Sequence, residues 1–158
     1  MSIRSKCAAE VVKVAMNGVR DRASIHYTQT VLRWSGINRG ITVGQPPYAD
    51  CSSYATFCFW RARKKYRGSP GVDIVNGANW KAGYTGTMLN HGVKHRSRTS
   101  CRYYKAGRTL VFYGPGTKVT HVAIYVGNGM VVSHGSESGP LLLPWNYRGV
   151  IQARVYPL

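Results

Sequence analysis

His121-Val122-Ala123-Ile124-Tyr125-Val126-Gly127-Asn128-Gly129-Met130-Val131-Val132-Ser133-His134 is a pair of apolar, β-branched runs joined by Asn-Gly. Asn and Gly accept positive φ most readily, and a two-residue turn with both residues in that region matches the right-handed twist of the strands it joins. The stretch therefore predicts a β-hairpin. Side chains alternate between the two faces of a strand, so register decides which polar residues meet. With Asn128-Gly129 as a plain two-residue turn, Gly127 pairs with Met130, and His134 falls opposite Ala123 on the face of His121. A three-residue loop puts Ser133 on that face instead.

Working outward, Leu110 to Tyr113 and Val150 to Tyr156 read as further strands, the latter alternating Val150, Gln152 and Arg154 with Ile151, Ala153 and Val155. Nearer the N-terminus, residues from Ser5 to Arg20 place Ala8, Val11, Val12, Ala15, Met16 and Val19 at helical spacings. From Ser24 to Ala49, Gly36, Gly40, Gly44 and Pro46-Pro47 break any periodicity, which predicts a long surface loop. Asp50 then stands as an N-cap before the apolar run Cys51 to Ala62, whose helix ends in a basic turn stopped by Gly68 and Pro70. Helices first and an antiparallel meander afterwards specify an α+β domain, with Cys51 in the first turn of a buried helix.

The chain has 158 residues, enough for one domain spanning 1–158 and too few for a second. No apolar run approaches the roughly 20 residues of a membrane-spanning helix. Glu10 and Lys13 interrupt the apolar stretch after Arg4 and Lys6, so the N-terminus does not read as a signal peptide. The four cysteines, Cys7, Cys51, Cys58 and Cys101, match no zinc or redox spacing and are expected to be mostly free thiols. Against 22 Lys plus Arg there are 5 Asp plus Glu, a formal net charge of +17 that calls for an anionic partner. Nucleic acid and an anionic cell surface answer equally well to charge alone. The acids Glu10, Asp21, Asp50, Asp73 and Glu137 are too scattered for a paired-carboxylate glycosidase or a hard-metal site.

Chemistry must then rest on sulfur and imidazole. A cysteine at a helix N-terminus faces unpaired N–H groups and the positive end of the helix dipole, which favour a thiolate. Cys51 has that position, with a buried structural thiol as the alternative; Cys58, two turns on, reads as core. A thiol nucleophile needs an imidazole to take its proton and a third group to orient the ring. His121 fits the first role, and His134 or Ser133, according to register, the second.

These residues resemble the NlpC/P60 family of cell-wall cysteine peptidases, particularly the versions in endolysins of bacteriophages that infect actinobacteria. The resemblance lies in Asp50-Cys51-Ser52-Ser53, Leu110-Val111-Phe112-Tyr113, His121 to Gly129, and Val132-Ser133-His134-Gly135-Ser136-Glu137, with Tyr27 upstream. It implies a papain-like core with Cys51 as nucleophile, His121 as general base, and the next strand supplying the orienter, assigned to His134. Tyr27 resembles the family tyrosine that stabilises the oxyanion; its alternative is an aromatic packing residue. Ser53 stands where the family usually has glycine, Thr109 where an acid often precedes Leu-Val-Phe, and His134 one residue past the commonest third position. The implied substrate is the peptidoglycan stem peptide, commonly at the bond between D-glutamate and a diamino acid, with amidase specificity as the alternative. No cofactor or metal is implied.

The resemblance further implies a bacteriolytic protein made in the host cytoplasm and acting at the cell wall as a monomer, on peptidoglycan and anionic wall polymers rather than on nucleic acid or within a membrane. Its two basic runs, Lys94 to Arg108 and Arg61 to Arg67, suit that anionic wall, though solvated faces would read the same. One rival is a nucleic-acid-binding module using Tyr103, Tyr104 and Trp80. Others are a metal site from His91, His95 and Cys101, and a catalytically dead wall-binding domain.

Overall fold

The computed structural model describes residues 1–135 and 139–158. Ser136 and Glu137, which close the last motif quoted above, lie outside the described residues. Helix α1 (Ile3–Arg20) begins where the Ser2 side chain accepts the Ser5 N–H, and it buries Cys7, Val11, Val14 and Ala15. It lies against α3 (Cys51–Arg67), whose N-terminus is capped by Asp50 and whose C-cap Gly68 takes the left-handed conformation at φ 75°. That conformation is open to glycine without the steric cost a side chain would bring. At Gly18 α1 lies tight against α3, since an added Cβ would stand 1.7 Å from the Tyr54 hydroxyl oxygen.

Residues 24–49 are not the surface loop that the absence of periodicity predicts. Strand β1 (His26–Tyr27) pairs in parallel with β2 (Tyr48–Ala49), and between them lie a 3-10 turn at Val31–Trp34 and the single-turn α2 (Ser35–Asn38). Ile25, Trp34, Ile37 and Ala49 are buried in the main core. Elements of one turn or two residues are too short to show a period, so burial of these side chains decides the path. The single-turn α4 (Thr85–Met88) and the edge strand β3 (Val93–Lys94) were illegible for the same reason.

Strands β3, β4 (Thr109–Tyr113), β5 (His121–Gly127), β6 (Met130–Ser133), β7 (Leu141–Pro144) and β8 (Val150–Val155) form one antiparallel sheet in the order β3-β8-β4-β5-β6-β7. Leu110, Phe112, Val122, Ile124 and Val132 join the core with the helices. Val111, Tyr113, Ala123, Tyr125 and Val131 form a second cluster on the other face, under Tyr104, Trp145 and Tyr147. This is the α+β, papain-like arrangement expected from the element order. All four cysteines are free thiols, and Cys58 is fully buried in the main core.

The hairpin departs from the simplest register. Asn128 (φ 55°) and Gly129 (φ 72°) make the expected turn, and Gly127 pairs with Met130. Beyond it, however, Tyr125 pairs with Val131 and Ile124 with Val132, so Val126 is an extra residue bulged out of the ladder beside Gly127 at φ 100°. The bulge slips the alternation by one. Ser133, not His134, therefore shares the face of His121, and the expected placement of His134 beside His121 is corrected.

Gly18→Ala overpacks the contact with Tyr54 at a cost of about 1–3 kcal/mol. A melt followed by circular dichroism should show Tm lowered by several degrees; an unchanged Tm would contradict the contact.

Candidate active site

The N-terminus of α3 is held by a capping box. One oxygen of Asp50 accepts the Ser53 N–H at 2.8 Å and the Ser52 hydroxyl at 3.1 Å, while the Asp50 N–H donates to the Ser53 hydroxyl at 2.9 Å. The other oxygen pairs with Arg33 at 3.1 Å, and Arg33 also donates to the Gly83 carbonyl. This network fixes the first turn, and with it Cys51, whose sulfur lies near its own N–H and those of Ser52 and Val122. The Val122 contact puts the sulfur against the peptide that joins it to His121, at the start of β5.

His121 is buried, and its Nε2 lies 2.7 Å from the Ser133 hydroxyl, which in turn lies 3.0 Å from the Tyr147 hydroxyl. His134 turns to the opposite face. Its Nε2 lies 3.0 Å from the Ala49 carbonyl, and its ring packs edge-on against Tyr27 and Tyr54 at 5.5 and 5.6 Å between centroids. Because Ala49 ends β2 two residues before Cys51, His134 ties the end of β6 to the strand that leads into Cys51. Tyr27 reaches the site through the β1–β2 ladder, in register with Ala49, and its hydroxyl accepts from Gln29 at 3.1 Å.

Tyr27, His121 and Ser133 line one cleft of about 400 Å³ with Thr120, Leu143, Tyr147 and Arg148. Tyr147 and Arg148 follow β7, a strand absent from the sequence reading, so no local signal pointed to them. Arg33 lay in the supposed loop and was missed likewise. Of the rival metal trio, His95 is engaged elsewhere, with Nε2 3.1 Å from the Thr109 hydroxyl and its ring against Tyr104.

The NlpC/P60 family matches residues 30–143, most of the chain. This chain belongs to that family. The matched span holds Cys51, His121, Ser133 and His134 but begins after Tyr27. Among solved structures, the NlpC/p60 domain of the peptidoglycan hydrolase SagA is similar at 19% identity and TM-score 0.55, over 93% of this chain and 97% of that one. The P60 domain of antigen MAP1204 from M. avium subspecies paratuberculosis gives 20% identity and TM-score 0.54, over 94% and 95%. NlpC2 from Trichomonas vaginalis gives 19% identity and TM-score 0.57, but the chain spans only 47% of its length. These likenesses show the shared NlpC/P60 fold. No curated protein matches the sequence at a significant level.

In this NlpC/P60 site the resting charge differs from the expectation for a helix N-terminus. Burial, aided by the neighbouring Asp50 carboxylate, pushes the Cys51 thiol up to about 11. A helix end supplies about 0.3–1 kcal/mol to a nearby anion, less than one pKa unit at roughly 1.4 kcal/mol per unit. Desolvation outweighs it, so the resting sulfur is a neutral thiol at pH 7. The alkylation rate of Cys51, followed by mass spectrometry in a Cys101→Ser background, should rise with pH towards a midpoint near 11. Asp50→Asn removes one of the raising charges and should move that midpoint lower, whereas a parental midpoint below 7 would refute burial as the controlling factor.

Proposed function

We propose that this chain is a peptidoglycan-cleaving cysteine peptidase that attacks an amide of the stem peptide through Cys51, His121 and Ser133. The observation that carries this reading is the Cys51 sulfur held against the His121–Val122 peptide while Ser133 holds Nε2 of the His121 ring. With Nε2–H donating to Ser133, Nδ1 is the nitrogen that takes the thiol proton as sulfur bonds to the carbonyl carbon. The C=O electron pair moves onto oxygen, which the Cys51 N–H and the Tyr27 hydroxyl receive. His121 then gives its proton to the departing amine as the C–N bond breaks. Water hydrolyses the thioester by the reverse sequence, so a neutral resting thiol suits a base that acts during attack.

In this reading His134 is a positioning residue rather than the orienter, because it faces Ala49, Tyr27 and Tyr54. A hydroxyl in the orienting role carries no charge, so it fixes ring and tautomer without the electrostatic pull of a carboxylate. The wall reading is favoured over nucleic acid by the burial of Trp80 and Tyr104, which removes two of the three aromatics available for base stacking. The resemblance to actinobacteriophage endolysins supports a bacteriolytic phage enzyme made in the host cytoplasm, acting on the wall as a monomer. The scissile bond we favour joins D-glutamate to a diamino acid.

Digestion of purified peptidoglycan, with the new termini identified by mass spectrometry, tests this directly. Cys51→Ser should lose roughly 10³-fold or more, and His121→Ala about 10²–10⁴-fold. Ser133→Ala should lose less than His121→Ala, since the imidazole remains, and should shift the pH profile, since the ring loses the hydroxyl that holds its Nε2. His134→Ala should show its main cost in folding, about 2–5 kcal/mol for the cavity left against Tyr27 and Tyr54, since the Ala49 carbonyl still accepts the Thr28 N–H. Undiminished cleavage by Cys51→Ser would overturn the assignment, and a pH-profile change in His134→Ala without one in Ser133→Ala would return the orienting role to His134.

A further inference from the structure

Much of the basic run Arg61 to Arg67 is committed to the protein itself. Arg61 donates to the Gly44 carbonyl, Arg63 to Pro70 at 2.6 Å, and Arg67 to Leu158 at 2.8 Å, while Lys65 pairs with Glu10 at 2.9 Å. Lys64 differs. Its Nζ stands 5.0 Å above the Trp60 ring, and neither an ion pair nor a hydrogen bond engages it among the described residues. A cleft of about 600 Å³ opens beside it, lined by Lys64, Arg39, Lys81, Trp60 and Trp80 and by no acidic side chain. Arg39 and Lys81 are exposed and, like Lys64, have no acidic partner among the described residues.

One wall of this cleft is built at a conformational cost. Asn79 and Trp80 both hold positive φ, at 56° and 67°, a region costly for a bulky side chain. Asp73 enforces it, with one carboxylate oxygen accepting from Val75 and Asn76 and the other from Ala78 and Trp80. Trp80 is further fixed by its indole N–H on the Gly71 carbonyl at 2.8 Å. The result is a rigid floor, its indoles buried, beside three cations that have no acidic partner among the described residues. Trp60 lies nine residues along α3 from Cys51, roughly 14 Å at 1.5 Å per residue, and no residue lines both clefts.

We propose that this second cleft is a binding site for a phosphodiester-bearing unit of an anionic wall polymer, with Arg39, Lys64 and Lys81 holding the phosphate over the rigid floor that Asp73 and Trp80 build. It takes from the proposed function only that the target is a bacterial wall; binding here needs no hydrolysis. Volume and charge argue for a polymer unit rather than an ion: the cleft exceeds an inorganic phosphate severalfold, and three cations line it with no acidic side chain among them.

The test measures binding of purified poly(glycerol phosphate), inorganic phosphate and single-stranded DNA to the whole chain by titration calorimetry over a range of salt. The combined Arg39→Gln, Lys64→Gln and Lys81→Gln variant should bind the polymer at least tenfold more weakly than the parent. Its salt slope should fall by about 2, from roughly 0.7 per cation on a flexible phosphodiester chain. A charge-matched control, Arg96→Gln with Arg98→Gln and Arg102→Gln, should lose much less. Both variants should cleave a small soluble stem peptide at the parental rate, so failed binding and failed catalysis are read separately. Equal loss in the two variants would overturn the site in favour of a diffuse field. So would polymer affinity no greater than that for inorganic phosphate, or tighter binding of the DNA.

Discussion

The Asp50 carboxylate accepts the Ser53 N–H and the Ser52 hydroxyl through one oxygen and meets Arg33 through the other, all in a buried setting. A buried charge is tolerable only when paired and hydrogen-bonded, so each partner is a condition on the others. The cap fixes the first turn of α3 and therefore the Cys51 sulfur. Arg33 ties that turn to the segment after β1 and, through the Gly83 carbonyl, to the loop before α4. The same carboxylate raises the thiol it positions. Geometry has been favoured over a preformed anion, so in the proposed reaction the activation of sulfur falls to His121.

That acceptor depends on a second local constraint. Strand β5 carries His121 at its start and the Val126 bulge near its end, five residues apart, and the bulge decides whether a hydroxyl or an imidazole faces His121 from β6. A hydroxyl can hold the Nε2 proton and pass its own towards Tyr147 without introducing charge. Two imidazoles in that place would compete for one proton. The imidazole one position later is used instead to brace Ala49, so the slip converts a second imidazole into a strut beside the strand that leads to Cys51.

Sequence carried the elements whose signals are local: the Asp50 cap, the Gly68 stop, the Asn128-Gly129 turn and the long helices all occur as their residues indicate. It could not carry the bulge. Nothing distinguishes Val126 from its neighbours in one strand, because a bulge is a property of a pair of strands and of what Gly127 permits. The segment 24–49 failed for a related reason, since Trp34 and Ile37 are placed by long-range burial rather than by period. The choice between Ser133 and His134 was left to register, while the places of Cys51 in the first turn of its helix and of His121 on the hairpin were legible. Arg33, Tyr147 and Arg148 were not, because each reaches the site from an element with no periodic signature.

Charge completes the argument. Of the five acids, Glu10 is matched to Lys65, Asp21 to Arg20 and Asp50 to Arg33, while Asp73 is spent on backbone N–H groups; Glu137 lies outside the described residues. Each described acid thus has a local structural task, leaving the bulk of the 22 basic side chains with no acidic counterpart. Such a field extends about 8 Å into a solution of physiological ionic strength. It can hold the molecule near an anionic polymer without entering the buried chemistry of Cys51 and His121. In the proposed function, affinity for a surface and reactivity at Cys51 are therefore separable: the first answers to salt through screened charge, and the second to proton transfer in a buried site.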